Sequence, residues 1–551
     1  MRTIGFLLVL ACIGRCGAGA SPGDLVVCRT APCSLDEKVE QVLASSGEHH
    51  LQLADGEYTL SQPISGSIII EAQSMEGAVA QPFSAFPPCT FSALMPLLPI
   101  THRVKLSGIG TQGISINTKN PGDFVFVRGI DLLAKEKTAV TITSGKVQFQ
   151  QANIIGRVQV IGQTSDVFID DTIIRPPLMP VELGDLRARD STNDIYVTKK
   201  DCAEAGVSVT NGATYGGFNV EIADAPALGI CVSSAAAILC NGSIHDTRKS
   251  SDGKYGRGGE VLRGGSLTFR GTHIYDNSEV GLVASDSGSK LSLSNGVEIE
   301  THKSGAVLAT AVGLMAQAGA TLEATDVNVH DNSGLGVMIT SGAYGTISRT
   351  RIAKNEGAGV VVYNANLTIS SSQIQDTGND ASLGLGMGLL AFNAPSVTAT
   401  DTTFARNVYS GAFISGEGGS VLFSGCTFSD NKKFALRSDL GYLGAGLFAS
   451  GRCSGLSLQA NTYSNNEGPH VFLDRSYASL SNSSYSKYSD ASDTAFLAQN
   501  CTCQSGYMLS NFETLGLPKA DYSVLLCPSS HELIPTLSFG FALQEPLAMS
   551  E

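Results

Sequence analysis

The chain has 551 residues, with 61 Gly, no Trp and only 16% charged side chains. Its 50 acidic and 36 basic residues give a formal net charge of -14, which argues against a nucleic-acid partner, since phosphate binding needs a basic face. The abundance of Gly, Ser, Thr, Asn and Val suits short strands and tight turns rather than helix bundles.

Residues 1–20 read as an export signal: Arg2 supplies positive charge, Ile4 to Ile13 an apolar core, and Ala18-Gly19-Ala20 a small-residue cleavage site. A second reading takes Val9-Leu10-Ala11-Cys12 as a lipoprotein-type cleavage site, with Cys12 lipidated and anchored. Leu10 fits that motif poorly. No later stretch reaches the roughly 18–20 uninterrupted apolar residues of a transmembrane span. The expected location is therefore secreted or cell-surface, with an outer-membrane lipoprotein as the alternative.

Residues 21–47 form a Cys-containing segment and a capping helix predicted over 34–46. Ser34 is its N-cap, Glu37 completes a capping box, and Val39, Val42 and Leu43 form an apolar stripe. In an exported chain the 13 cysteines point to disulfides, with Cys28 and Cys33, Cys231 and Cys240, and the group Cys501, Cys503 and Cys527 as local candidates. Asn241, Asn366, Asn482 and Asn500 begin glycosylation sequons that matter only in a eukaryotic host.

From residue 48 to 485 short strands follow one another, as in Phe124-Val125-Phe126, Val140-Thr141-Ile142 and Val158-Gln159-Val160. Two stretches break the pattern and are predicted excursions: 71–100, rich in Pro and apolar residues, and 175–211, rich in charge. Residues 486–551 are expected to cap the far end, where unpaired strand edges invite aggregation.

Within this region one motif recurs: a bulky apolar residue, two variable positions, then Asn. Its copies end at Asn277, Asn332, Asn355, Asn407, Asn431 and Asn466, with weaker ones at Thr247, His302 and Thr377. The copies recur every 22 to 25 residues, with longer intervals up to 35. Such a period predicts stacked coils with loop insertions, a parallel β-helix whose strands pair at ~4.8 Å. Apolar side chains then align in interior columns, and the Asn amides form a ladder between coils. Gly follows several copies, at Gly281, Gly336, Gly359 and Gly411, where it is expected to supply turn conformations. The position before the Asn reads Asp331, Lys354, Asp376, Arg406, Asp430, an alternation of sign expected to pair charges between coils.

The run Leu51-Gln52-Leu53-Ala54-Asp55-Gly56-Glu57-Tyr58-Thr59-Leu60, then Ser67-Ile68-Ile69-Ile70, resembles the opening coil of the pectin-lyase-like right-handed β-helix superfamily. A helix covers the first coil there, as the predicted one would here. With the downstream repeat, the resemblance covers roughly residues 34–485. It implies an all-β, right-handed parallel solenoid, and it raises polysaccharide lyase, hydrolase or epimerase activity, in some members through acidic Ca²⁺ ligands.

The catalytic motifs implied by that resemblance are absent. The sequence contains no Asn-Thr-Asp, Gly-His-Gly, Arg-Ile-Lys or Asp-Pro-His-Asp, and Arg351-Ile352-Ala353-Lys354 only approximates one of them. Three pairs remain: Asp170-Asp171, His245-Asp246 and His330-Asp331. Adjacent strand residues point to opposite faces, which handicaps Asp170 with Asp171. His245 and His330 share a repeat column with Tyr275, Ala353 and Ser429, as a variable exposed position would. If a catalytic site exists, its candidates are His245, Asp246, Asp252 and Lys254, beside a polar, Gly-rich stretch at 250–260. The expected function is a non-enzymatic adhesion, glycan-binding or envelope protein, needing no cofactor. The alternative is a polysaccharide-active enzyme, with Ca²⁺ as its ion.

Overall fold

The computed structural model describes residues 25–28, 35–44, 50–72, 104–108, 113–120, 122–176, 202, 204–250, 255–303, 311–378, 386–416, 419–432, 444–450, 455–474, 476, 478–481, 483–485 and 496–499. The expected export signal, Cys12, Cys33, the cysteines after 500, the tail apart from 496–499, most of both excursions, Asp252 and Lys254 lie outside these residues.

Each regular coil holds three strands, as in Leu335–Thr340, Tyr344–Ser348 and Arg351–Ala353. Every strand pairs in parallel with its counterpart one coil away, for example Val337 with Val360, Ile347 with Ile369 and Ile352 with Ile374. Three parallel sheets result. The earlier coils follow the same plan with longer strands that turn corners, such as Asp131–Gln150.

The coil-to-coil register stacks like on like. In the third sheet the middle residue points inward and forms the column Ile244, Ile274, Ile299, Val329, Ile352, Ile374, Phe404, Phe428, Tyr463. All nine are fully buried. The rings of Phe404, Phe428 and Tyr463 stack with centroids 5.0 Å apart at each step, a spacing imposed by the strand repeat. The first sheet is buried on both faces, so strands such as Val280–Ser285 are buried at every position and lack alternation. Its outer column runs from Val283 and Met315 through Met338, Val361, Leu390, Phe413 and Phe448 to Phe472.

The predicted Asn ladder is present. Asn332 Nδ2 donates to Asn355 Oδ1 at 2.8 Å, Asn407 Nδ2 to Asn431 Oδ1 at 3.1 Å, and Asn431 Nδ2 to Asn466 Oδ1 at 2.7 Å. The same oxygens accept backbone N–H groups from the preceding coil, so amides at a buried corner are satisfied without water. Asn277 Oδ1 accepts the Thr247 N–H and Asn332 Oδ1 the His302 N–H, which carries the ladder through its weaker copies.

The glycines after the motif do a different job from the expected one. Gly281, Gly336, Gly359 and Gly411 are not among the residues with positive φ. A Cβ on Gly336 would lie 2.6 Å from the Gly359 carbonyl and 2.7 Å from Asn355 Nδ2. Gly leaves room for the ladder. The left-handed positions are instead those before the ladder residue, with φ of 51–56° at Asp276, Asp331, Lys354, Asp376, Arg406 and Asp430. Charge pairing there is partial: Arg406 grips Asp376 through two contacts of 2.6 and 2.8 Å, whereas Asp331 turns to His330 at 2.6 Å.

The capping helix spans Leu35–Ala44 and buries Leu35, Val39 and Val42. Ser34 lies outside the described residues. Asp36 ties the helix to the first coil by accepting the N–H groups of Ser61 and Gln62 at 2.8 and 2.9 Å. At the ends of the second predicted excursion, Arg175 closes one strand and Ala205–Thr210 forms another. The cysteine pairing also differs. Cys231 bonds to Cys202, with Cα atoms 5.4 Å apart, and Cys240 is engaged in a separate disulfide. Cys202 lies just before Ala205–Thr210, the strand that pairs with the Cys231 strand Leu228–Ser233, whereas Cys231 and Cys240 lie on different sheets.

Candidate functional site

The outer face of the third sheet carries the richest set of chemical groups among the described residues. Its short strands point two residues outward per coil, giving two adjacent columns. One reads Glu221, Ser243, His273, Glu298, Asn328, Arg351, Gln373, Thr403. The other reads Ala223, His245, Tyr275, Glu300, His330, Ala353, Gln375, Ala405. Imidazole and carboxylate groups concentrate between Glu221 and Arg351, and beyond Arg351 the two columns are neutral.

His245 and His330 do share one column, as expected, but neither is freely exposed: their side chains are 13% and 11% accessible. Coils one strand spacing away cover their ring faces and supply partners. His245 Nδ1 meets Asp246 Oδ2 at 2.7 Å, its Nε2 lies 3.6 Å from Glu221, and its ring stacks on Tyr275 at 4.6 Å. Burial disfavours the imidazolium, but the hydrogen bonds to Glu221 and Asp246 outweigh it and raise the His245 pKa. Glu221, held by His245 despite its burial and by Arg175 at 2.5 Å, is lowered.

One coil on, His273 Nε2 contacts Glu300 Oε1 at 2.8 Å, and its ring lies 4.3 Å from that of Tyr275. His330 bridges two carboxylates, with Nε2 3.0 Å from Glu298 and Nδ1 2.6 Å from Asp331. Burial raises the Glu298 pKa, but the His330 hydrogen bond and the neighbouring imidazoles bring it below its ordinary value. The ligand-type atoms of His273, Glu298 and Glu300 all lie within 4.8 Å of one another, as do those of Glu300, His330 and Asp331. Sequence reading singled out neither His273, Glu298 nor Glu300, because only coil register brings positions 25 and 30 residues apart together.

Asp170 and Asp171 do not form a cooperating pair. Asp170 is buried and accepts from Gln150 at 3.1 Å; Asp171, at φ 45°, accepts from Asn219 at 2.7 Å. Burial, reinforced by the Asp171 charge, pushes the Asp170 carboxyl up to about 6. A third group lies on the outer side of the first sheet. Arg257, buried, contacts Glu260 at 3.1 Å and Glu279 at 3.2 Å and packs over the Tyr255 ring at 5.0 Å.

A family model described as a right-handed beta helix region matches residues 307–485. The matched segment has the three-sheet parallel register that the rest of the cylinder shares. The chain is a right-handed parallel β-helix. No curated protein sequence matches it significantly. Among solved structures, the β-helix is similar to a periplasmic alginate epimerase, AlgG, with TM-score 0.33 and 12% identity over 67% of this chain and 77% of that one. It is also similar to the A-module of the mannuronan C-5 epimerase AlgE4 of Azotobacter vinelandii, with TM-score 0.30 and 13% identity over 82% and 93% of the two chains. Tailspike protein 3 of bacteriophage CBA120 matches with TM-score 0.28 and 9% identity over 86% and 59%. None of these likenesses carries an activity over to this chain. No helix among the described residues is long and apolar enough to cross a membrane.

Proposed function

We propose that this β-helix is an exported, non-enzymatic protein that binds glycan along the outer face of its third sheet. The observation that carries the reading is the pair of outward columns between Glu221 and Arg351, which align carboxylates, imidazoles, the Tyr275 hydroxyl and the Asn328 amide along the cylinder axis. A polyhydroxylated polymer presents donors and acceptors in a row, and these side chains offer both. Their repeat at the strand spacing sets a linear ligand along the axis.

The histidines support binding over turnover. Both nitrogens of His245 and of His330 already face carboxylates, which leaves neither free to take a proton from a substrate. One observation favours an enzyme: Asp170, pushed up to about 6, has the poise of a general acid. Its burial argues for a structural carboxyl hydrogen-bonded to Gln150.

The test incubates the mature protein with uronate-containing and neutral glycans, with and without Ca²⁺. Binding, unsaturated products and reducing ends are followed together. Binding without products is expected. Turnover abolished by Asp246→Ala or Lys254→Ala would overturn the proposal in favour of a polysaccharide-active enzyme.

A further inference from the structure

We propose that His273, Glu298 and Glu300 form a solvent-open site for one divalent transition-type cation such as Zn²⁺, Mn²⁺ or Co²⁺. Two outward carboxylates come from one strand, Val297–Glu300, and the imidazole from the strand one coil earlier. Paired strands thus fix all three Cβ positions. His273 Nε2 already points at Glu300 Oε1, 2.8 Å away, and the three ligand atoms lie within 4.8 Å of one another. A cation placed among them would meet one nitrogen and two oxygens, leaving its remaining positions to water or ligand.

Two independent features favour an ion over a plain ion-pair network. The first is charge. Among the described ion pairs, Glu298, Glu300 and Asp331 contact only histidines, and no Lys or Arg pairs with them. Three carboxylates thus stand together with no Lys or Arg beside them. The second is preorganisation. His273 is held against the Tyr275 ring at 4.3 Å, and Tyr275 against His245 at 4.6 Å. Glu298 accepts from His330 at 3.0 Å and from Asn328 at 3.3 Å, the kind of outer support that orients metal-bound carboxylates.

The neighbouring set of Glu300, His330 and Asp331 is a weaker candidate. Its closest contact, His330 to Asp331 at 2.6 Å, joins adjacent residues, and the same contact recurs at His245–Asp246, at 2.7 Å. It is a local habit of this corner. An imidazole in the ligand set selects Zn²⁺, Mn²⁺ or Co²⁺ over Ca²⁺, which takes oxygens alone.

The inference stands whether or not the face binds glycan. Chelator-stripped protein is titrated with ZnCl₂ by calorimetry and with CoCl₂ by visible absorption, alongside His273→Ala, Glu300→Gln, Glu298→Gln and His50→Ala. His50 pairs with Glu71 far from the site and serves as the control. The expected result is one ion per chain, a Co²⁺ ligand-field band, and at least a tenfold loss of affinity in the first three variants, with His50→Ala unchanged. Circular dichroism confirms that each variant is folded; the targeted side chains face outward, so their loss leaves the interior columns intact. Absence of saturable uptake, or uptake equal in wild type and all variants, would overturn the proposal and leave an ion-pair network.

Discussion

The Asn431 amide donates to Asn466 Oδ1 at 2.7 Å, and the backbone N–H of Asn431 reaches the same oxygen at 3.2 Å. One side chain thus satisfies two donors of the preceding coil. Asn431 in turn receives both donors of Asn407, so removing its side chain orphans buried groups on Asn407. Asn431→Ala is expected to lower stability by roughly 1–3 kcal/mol in urea unfolding. Thr427→Ala, on the outer face, is the control and should change little.

The two kinds of glycine predict opposite responses to Asn. Gly342 has φ of 76° and open space around its missing Cβ, and Asn tolerates that conformation. Gly342→Asn should therefore be nearly neutral. Gly336→Asn drives atoms into the Gly359 carbonyl and the Asn355 amide, and overpacking of this kind costs about 1–3 kcal/mol. Thermal melts of the two variants separate the explanations.

How far the sequence could be read depended on how strictly a column keeps one residue type. The main ladder was legible from Asn277 to Asn466 because Asn recurs, and Ile299 and His302 were recognisable as a degraded copy. A second ladder escaped notice. Asn461, buried at another corner, accepts the Cys426 N–H at 2.8 Å and donates to the Phe423 carbonyl at 3.0 Å. Ser372 occupies the same kind of corner position, accepting the Thr350 N–H at 3.1 Å, so several small polar residues serve and no single letter repeats. The Cys202–Cys231 bond and the His273–Glu298–Glu300 group were hidden for a related reason. Both join positions about one coil apart, and coil lengths vary with insertions.

His302 predicts an acid limb in the stability curve. It replaces Asn in the ladder, accepts the Asn277 N–H at Nδ1, 3.3 Å away, and is fully buried. Burial, with a small contribution from His273, pushes its pKa from 6.5 down to about 3. The unfolded chain then binds a proton that the folded chain refuses, so stability falls as pH drops from about 6.5 towards 3. His245 has the opposite sign: its raised pKa contributes stability below about 6.5, lost as pH rises through its folded value. His302→Asn should remove the acid limb while preserving the ladder, as urea midpoints measured between pH 4 and 8 would show. A limb of unchanged slope would contradict this.

Arg257 is the cation of a buried triad. Burial disfavours its charge, but Glu260 and Glu279 hold its pKa up, and it stays ionised. Arg257→Met leaves two carboxylates without a cation in the protein interior and is expected to cost roughly 3–5 kcal/mol in urea unfolding. Glu260→Gln retains hydrogen bonding to the guanidinium and keeps Glu279 as its counter-ion, so it should cost markedly less.

The central functional claim is that the ionic stretch of the third sheet, and not the β-helix at large, is the binding face. The most direct measurement is calorimetric titration of the glycan selected by the panel into wild type, Tyr275→Ala and Thr427→Ala. Tyr275 lies between His245 and His273 inside that stretch, and Thr427 lies on the same face beyond it. At least tenfold weaker binding to Tyr275→Ala, with Thr427→Ala like wild type and no product formed, is the predicted result. Equal affinity for all three proteins, or release of cleaved or epimerised glycan, would contradict it.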